Sequence, residues 1–205
     1  MMEQRMRYSL LAGFGVAMLL ASGSSQAHFQ LLEPSSSLDQ NQLGDPQKMA
    51  PCGGTSANPG TPTHAVTDVR GGAMLHIKLK ETIFHPGHYR IALARTPASL
   101  PPDPEVTTRD TPKGPYSVSA KIGDAKPPIL ADGLFAHTQK PAPDAFWETD
   151  VKIPNINCDN CTLQVVQFMA EHGHNKDGDY SYHHCAVLRV TANPALPADK
   201  GWLGQ

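Results

Sequence analysis

The clearest structural signal is an alternation of apolar and polar residues over positions 74–80. Leu75, Ile77 and Leu79 fall on one side of an extended chain, and mostly polar residues lie between them. A period of two residues is typical of a strand that is buried on one face. Comparable short segments predict further strands at residues 89–94, 116–122, 147–153, 162–169 and 185–191.

Two of these segments predict different degrees of burial. Residues 162–169 are apolar on both faces, which indicates an inner strand that is covered from both sides. In residues 185–191, Ala186, Leu188 and Val190 share one face, whereas Arg189 lies on the other. We therefore expect this last strand to have an inward and an outward face.

Long connections without a repeating pattern separate the predicted strands. Residues 29–62 are rich in Pro, Gly, Ser, Asn and Gln, and residues 97–115 form a proline-rich loop. The chain contains 19 Pro and 17 Gly, which favours turns and argues against a bundle of long helices. The sequence therefore predicts an all-β fold, an immunoglobulin- or fibronectin type III-like antiparallel β-sandwich with long irregular loops.

The first 27 residues have the features of a signal peptide. Arg5 and Arg7 precede an apolar stretch at residues 10–21, which is too short to span a bilayer, and small residues follow up to Ala27. Cleavage is predicted between Ala27 and His28, and an uncleaved membrane anchor is the alternative. We expect a signal peptide (1–27), a β-sandwich domain (28–192) and a C-terminal tail (193–205) whose Trp202 docks on the domain. The mature protein would be secreted or periplasmic, without membrane attachment.

The charge balance excludes one class of partner. The chain has 17 Lys and Arg against 19 Asp and Glu, a net charge of −2, and no run of basic residues. Binding to a nucleic acid backbone requires a basic patch or stripe. We therefore expect no nucleic acid partner.

The chain has four cysteines, an even number that suits disulfides in an oxidising compartment. A zinc site with four thiolates would need two close pairs, whereas only Cys158 and Cys161 are close in sequence. Three pairings are open from the sequence. We favour Cys158–Cys161 as a local bridge and Cys52–Cys185 as a long one.

Cleavage before His28 would create a metal ligand with two nitrogen donors. An N-terminal histidine offers its α-amine, with a pKa of about 8, and its ring Nδ1, and the two can chelate one metal ion. One more imidazole completes a nitrogen-rich set that suits a single Cu(II) ion. His85 and His88 flank a Pro-Gly turn, and we prefer His85 because His88 begins the next predicted strand. His64 and His76 are expected to be surface residues.

A tyrosine lies three residues before the cysteine that opens the last predicted strand. Tyr182 precedes Cys185 in the sequence YSYHHCA. We expect its phenol to lie at the entrance of the strand, where it could occupy a long axial position without strong ligation to a metal.

These three features together resemble the lytic polysaccharide monooxygenases, copper enzymes that cleave chitin or cellulose oxidatively. The resemblance rests on His28 after the signal peptide, on His85 in LHIKLKETIFHPGHYRIAL, and on the Tyr-x-x-Cys sequence of Tyr182 and Cys185. It implies an immunoglobulin-like sandwich, an external electron donor, an axial tyrosine, and pairing of Cys185 with an early cysteine such as Cys52. Members also place a glutamine or glutamate beside the copper, and Glu171 or His172 is the candidate here; a plain polar loop is the alternative.

Three functions remain open from the sequence. The first is an exported copper-dependent monooxygenase that acts on the glycosidic linkages of polysaccharides, expected to be a monomer. The second is a periplasmic copper carrier of the same fold. It is favoured by the additional histidines at positions 172, 174, 183 and 184, and by an aromatic content of only 2 Trp, 5 Tyr and 6 Phe. The third is a structural or adhesive sandwich without metal.

Overall fold

The computed structural model describes residues 27–175 and 178–202. These residues form ten strands and two short 3₁₀ turns, at Pro97–Ser99 and Lys200–Trp202. The strands are β1 (His28–Glu33), β2 (Val66–Arg70), β3 (Met74–Ile83), β4 (Gly87–Ala94), β5 (Thr107–Thr111), β6 (Gly114–Val118), β7 (Ile129–His137), β8 (Trp147–Lys152), β9 (Cys158–Met169) and β10 (Ser181–Thr191).

The strands form three sheets, and the prediction of an all-β sandwich is confirmed. One sheet has the order β1-β3-β8, a second has the order β2-β10-β9-β4-β7, and β5 and β6 form a separate hairpin. The pairs are antiparallel except β2 and β10, which are parallel. A parallel pair needs a long connection, and well over a hundred residues separate these two strands.

The core lies between the two larger sheets. Ile77 and Leu79 of β3 face inward as the alternation predicted, and both are fully buried. The central strand β9 is buried on both faces from Cys161 to Met169, as its apolar composition predicted. On β10, Leu188 is buried and Arg189 is exposed, which agrees with the expected faces.

Several strands were missed by the sequence analysis. Residues 29–62 were expected to be irregular, but β1 begins at His28 and pairs with β3. Likewise, β5 lies within the expected proline-rich loop at 97–115, and β2 and β7 were not predicted. These are short or Gly-interrupted strands, and their pairing with strands distant in sequence stabilises them more than their own pattern does. The last strand begins at Ser181, so Tyr182 lies within it.

The cysteines form the two favoured disulfides. Cys52 pairs with Cys185, 133 residues away, and Cys158 pairs with Cys161. This confirms the pairing that was preferred among the three possibilities.

The end of the described chain packs on the sandwich. Trp202 is 9% exposed and belongs to the core cluster. The side-chain amide of Asn155 donates hydrogen bonds to the carbonyls of Asn193, Leu196 and Pro197. Residues 1–26 of the predicted signal peptide lie outside the described residues. Over residues 27–175 and 178–202, no helix is long and apolar enough to cross a membrane.

Candidate metal centre

The pairing of β1 with β3 brings the two predicted copper ligands to the same end of the sandwich. His28, the first residue of β1, lies opposite Ile83, the last residue of β3. His85 follows Ile83 by two residues, in the turn that leads to β4. Both histidines are 5% exposed. Within the described chain their rings are not in direct contact, and each contacts a different neighbour.

The ring of His28 is oriented by a carboxylate and leaves one nitrogen without a hydrogen bond. Its Nε2 lies 3.2 Å from Oδ1 of Asp45. Its Nδ1 is buried and makes no well-formed hydrogen bond, although the backbone of Ala27 lies near the ring. Burial lowers the pKa of His28, and the charge of Asp45 opposes this shift only in part. The neutral ring therefore carries its proton on Nε2, and Nδ1 is left as a donor atom for a metal.

The ring of His85 is held in the opposite sense. Its Nδ1 lies 3.0 Å from the carbonyl oxygen of Pro86, which can only accept a hydrogen bond. Nδ1 therefore carries the proton, and Nε2 is the atom that can bind a metal. Burial lowers the pKa of His85, against the effect of the Pro86 carbonyl, and this favours the neutral imidazole that metals require.

Tyr182 lies beside His28. The centroids of the two rings are 5.2 Å apart, and Tyr182 is 3% exposed. Burial raises the pKa of Tyr182 to about 12, although a backbone hydrogen bond with Ala27 opposes the shift. The phenol therefore stays protonated at neutral pH. On the ring itself, the Lys48 ammonium lies 3.8 Å from the centroid, within the range of a cation–π interaction.

The structure separates the two residues proposed to orient oxygen. The ring of His172 lies 5.5 Å from that of His85, and its Nδ1 lies 2.8 Å from the carbonyl oxygen of Gly173. Glu171 instead forms an ion pair with Arg109 of β5. His172 is therefore beside the candidate centre, whereas the carboxylate of Glu171 is engaged by the β5–β6 hairpin.

Two further histidines, His183 and His184, are each held by contacts of their own. His183 and His184 are fully buried neighbours on β10. Nε2 of His183 lies 2.7 Å from Asp103, and Nε2 of His184 lies 3.0 Å from the carbonyl of Phe29. Burial lowers the pKa of His184 to about 4, so that its ring is neutral at physiological pH.

His88, the alternative to His85, also points elsewhere. It lies on β4, with its ring 5.3 Å from Phe168 and its Nε2 3.8 Å from Asp132. His85, in contrast, lies at the end of the sandwich beside His172, and it therefore remains the preferred second ligand. In residues 27–175 and 178–202, no three His, Cys, Asp or Glu side chains are arranged to hold a metal. The predicted ligand set has two side chains and an α-amine.

Sequence reasoning missed three residues of this region, namely Asp45, Lys48 and Glu81. Asp45 and Lys48 lie in a loop whose position no local pattern indicates. Glu81 did carry a signal, because it continues the inward phase of Ile77 and Leu79 on β3. A charged residue at a predicted core position is unusual and indicates a special environment.

A groove of about 360 Å³ opens next to the turn that carries His85. Its lining mixes polar and apolar side chains and includes Leu43, Thr82, Phe84 and Pro141.

The region can thus offer two neutral, oriented imidazoles, a protonated phenol and a nearby cation. Such a set suits a divalent metal with nitrogen preference better than a hard cation, which favours oxygen ligands. Comparisons with known proteins add no relative to this description. No protein-family model matches the chain, and a search of curated proteins finds no match.

Proposed function

We propose that the chain, after cleavage before His28, is an exported copper-dependent monooxygenase that acts oxidatively on the glycosidic linkages of polysaccharides. The copper ligands would be the α-amine and Nδ1 of His28 and Nε2 of His85. The two disulfides fit export to the periplasm or the cell exterior, where the bridges are stable. Electrons would come from an external donor.

The observation that carries this proposal is the state of the two rings. In each of them one nitrogen is oriented by a hydrogen-bond acceptor, Asp45 for His28 and the Pro86 carbonyl for His85. The opposite nitrogen is left for a metal, and this outer hydrogen bond is the usual arrangement for metal-binding histidines. Cleavage would add the α-amine on the same residue as the unpaired Nδ1.

The surrounding residues would shape the chemistry of the centre. Bound copper would supply one-electron redox chemistry and the activation of O2 or H2O2. Tyr182, which remains protonated, limits access beside His28 and provides no anionic ligand. Lys48 lies over the Tyr182 ring, where its ammonium is also paired with Asp179 at 3.4 Å. His172 could donate a hydrogen bond toward the space beside His85.

A copper carrier of the same fold is the second candidate, and surface composition favours it. Among the exposed large apolar residues of the described chain, Phe146 is the only aromatic one. A flat row of aromatic rings for stacking on a crystalline glycan is therefore missing from the described surface. In addition, His172 offers an imidazole beside His85, which would help to transfer a metal.

Copper binding is tested first, with the mature protein that begins at His28. Its Cu(II) form should give an axial electron paramagnetic resonance spectrum with nitrogen hyperfine structure. Calorimetric titration should show that His85→Ala loses high-affinity binding, while the surface control His76→Ala retains it. If only His88→Ala lost binding, His88 rather than His85 would be the second ligand. Equal copper affinity in all variants would contradict the proposed centre.

Turnover separates the enzyme from the carrier. The copper-loaded protein is incubated with ascorbate and with insoluble chitin or cellulose, and released sugars are analysed by mass spectrometry. Oxidised oligosaccharides that disappear in His85→Ala support the monooxygenase. Tight copper binding without oxidised products from any glycan tested would favour the carrier.

A further inference from the structure

We propose that Glu81 is a positioning residue that fixes the turn carrying His85 and thereby sets the place of this imidazole. The role of His85 as a ligand rests on the proposed function, but the contacts of Glu81 with the turn are present without a metal. Glu81 lies on β3 opposite Phe29, the residue after His28. Its side chain is only 1% exposed.

One carboxylate oxygen of Glu81 gathers donors from three separate parts of the fold. Oε1 accepts the backbone N–H of His85 at 3.2 Å and the side-chain amide of Gln167, on β9, at 2.9 Å. Nε2 of His137, at the end of β7, lies 3.3 Å from the same oxygen. Glu81 belongs to the three-stranded sheet, whereas Gln167 and His137 belong to the five-stranded one. The turn is therefore tied to both sheets through a single atom.

The supporting histidine is itself fixed, so that the carboxylate has a rigid partner. Nδ1 of His137 lies 2.7 Å from the carbonyl oxygen of Phe135, which can only accept. Its Nε2 faces Oε1 of Glu81 at 3.3 Å, so that both ring nitrogens of His137 face an oxygen acceptor. Trp147 packs on the ring with centroids 5.0 Å apart.

A buried carboxylate is costly, so its position calls for an explanation. An apolar residue at position 81 would continue the pattern of Ile77 and Leu79 and would avoid the desolvation of a charge. Glu81 instead satisfies an N–H group in the turn next to Pro86, which has no N–H of its own. Gly87 closes the turn so tightly that a Cβ there would meet the carbonyl oxygen of Phe168 at 2.0 Å. The backbone after His85 thus has little freedom, and Glu81 fixes the backbone at His85 itself by accepting its N–H group.

The two determinants of the His85 imidazole are therefore distinct. Glu81 fixes the backbone of His85, and the Pro86 carbonyl fixes the rotation of its ring. A ligand whose outer contacts are removed typically binds its metal about 10- to 100-fold more weakly. We expect a loss in this range when the carboxylate is removed.

The first arm of the test uses metal-free mature protein and amide hydrogen exchange measured by NMR. In the wild type, the His85 amide should be protected although it lies outside a strand. Glu81→Met retains the approximate size of the side chain without an acceptor, and should speed exchange of this amide at least about 10-fold. Glu81→Gln retains an acceptor oxygen and should restore part of the protection. The matched control is Asp150→Ala, which removes a carboxylate from the exposed His76–Asp150 pair and should leave the His85 amide unchanged.

The second arm measures copper affinity and the paramagnetic resonance spectrum of the same variants. Glu81→Met should bind copper about 10- to 100-fold more weakly than the wild type, with altered hyperfine splitting. The copper affinity of Glu81→Gln should lie between these two. Asp150→Ala should have the affinity and the spectrum of the wild type. Unaltered affinity and spectrum in folded Glu81→Met would overturn the proposal. If that variant does not fold, hydrogen exchange of the His85 amide in the wild-type protein is the test. Exchange of this amide at the rate of an unprotected peptide would also overturn the proposal. Failure of the wild type to bind copper would instead overturn the proposed function, while the exchange data would still test the hold on His85.

Discussion

Two histidine–aspartate pairs in this molecule have nearly the same contact and very different surroundings. His28 and Asp45 lie 3.2 Å apart at the end of the sandwich, and His76 and Asp150 lie 2.9 Å apart on the three-stranded sheet. The side chain of His28 is 7% exposed, whereas that of His76 is 46% exposed and also lies 4.0 Å from Glu148. The carboxylate contact alone therefore does not distinguish His28, the proposed metal ligand, from the surface residue His76.

The neighbours of each pair account for the difference. Burial around His28 disfavours the protonated ring, and the second ring nitrogen has no well-formed hydrogen bond. A second oriented imidazole, that of His85, lies at the same end of the fold. His76 is exposed, and the acidic side chains of Glu148 and Asp150 lie beside it. His28 therefore differs from His76 by its burial and by the second imidazole at the same end of the fold, in addition to its contact with a carboxylate.

The largest expected effect on copper affinity comes from a residue placed before His28. One extra Gly converts the α-amine into an amide, which is neither basic nor free to chelate, while the imidazole and the Asp45 contact remain. Copper affinity measured by calorimetry should fall by about two to three orders of magnitude, or roughly 3–4 kcal/mol. The melting temperature and both disulfides should match those of the processed protein. Equal affinity in the two proteins would mean that the amine is not a ligand, and would move the metal toward His85 and His172.

The second prediction concerns the long disulfide that ties the Asp45-bearing loop to β10. Replacing Cys52 and Cys185 by Ala should lower the free energy of unfolding by up to about 5 kcal/mol, because the bridge closes a loop of 133 residues. The control is removal of Cys158–Cys161, which closes only three residues and should cost about 2 kcal/mol or less. Urea unfolding of the two double variants measures both values. Similar losses would show that chain entropy does not govern these bridges.

Much of the central fold was predictable because the pattern of single strands is strong there. The alternation in β3 and the two-sided apolar run in β9 both reflect burial between sheets, and the structure confirms them. In contrast, β7 contains Asp132 and Gly133, which resemble a turn when they are considered alone. Asp132 accepts the backbone N–H groups of Ile122 and Gly133. The strand pairs with β4, which lies much earlier in the chain, and such a pairing leaves no trace in a local pattern.

The candidate site divides in the same way. His28, His85 and Tyr182 were predicted because each lies beside a recognisable local feature, a cleavage site, a Pro-Gly turn and a disulfide cysteine. Asp45 could not be predicted, since its loop is held beside β1 by a contact between residues far apart in sequence, in which the Phe29 N–H donates to the side chain of Gln47. Glu171 and His172 are adjacent in sequence, yet only the packing of the β5–β6 hairpin reveals that one is engaged by Arg109.

The third prediction uses acid to weaken the end of the fold that holds His28. His184, which donates to the carbonyl of Phe29, has a folded pKa of about 4, below its unfolded value. The unfolded chain therefore binds the additional proton first, and stability falls as the pH drops from about 6.5 toward 4, by up to about 3 kcal/mol for this residue. The lowered pKa values of His28 and His85 act in the same direction. Urea unfolding at pH 7 and pH 4.5 should show the loss.

His184→Gln is the matched variant for this acid effect. Its amide can still donate to the Phe29 carbonyl, but it cannot take up a proton. The difference in unfolding free energy between the two pH values should become smaller than in the wild type. An undiminished difference would assign the acid sensitivity to other groups.

The smallest expected effect separates the two pairs directly. Asp45→Ala removes the acceptor that places the His28 proton on Nε2, so that the ring can rotate and can carry its proton on Nδ1 instead. Copper should bind about 10-fold more weakly, or about 1.4 kcal/mol, because the ring must be reoriented and deprotonated at the ligand atom. Asp150→Ala makes the same chemical change beside the exposed His76 and should alter copper affinity less than about twofold, with a stability change within about 0.5 kcal/mol. The same loss in both variants would show a general effect of surface charge on copper binding, and the buried pair would then have no special role.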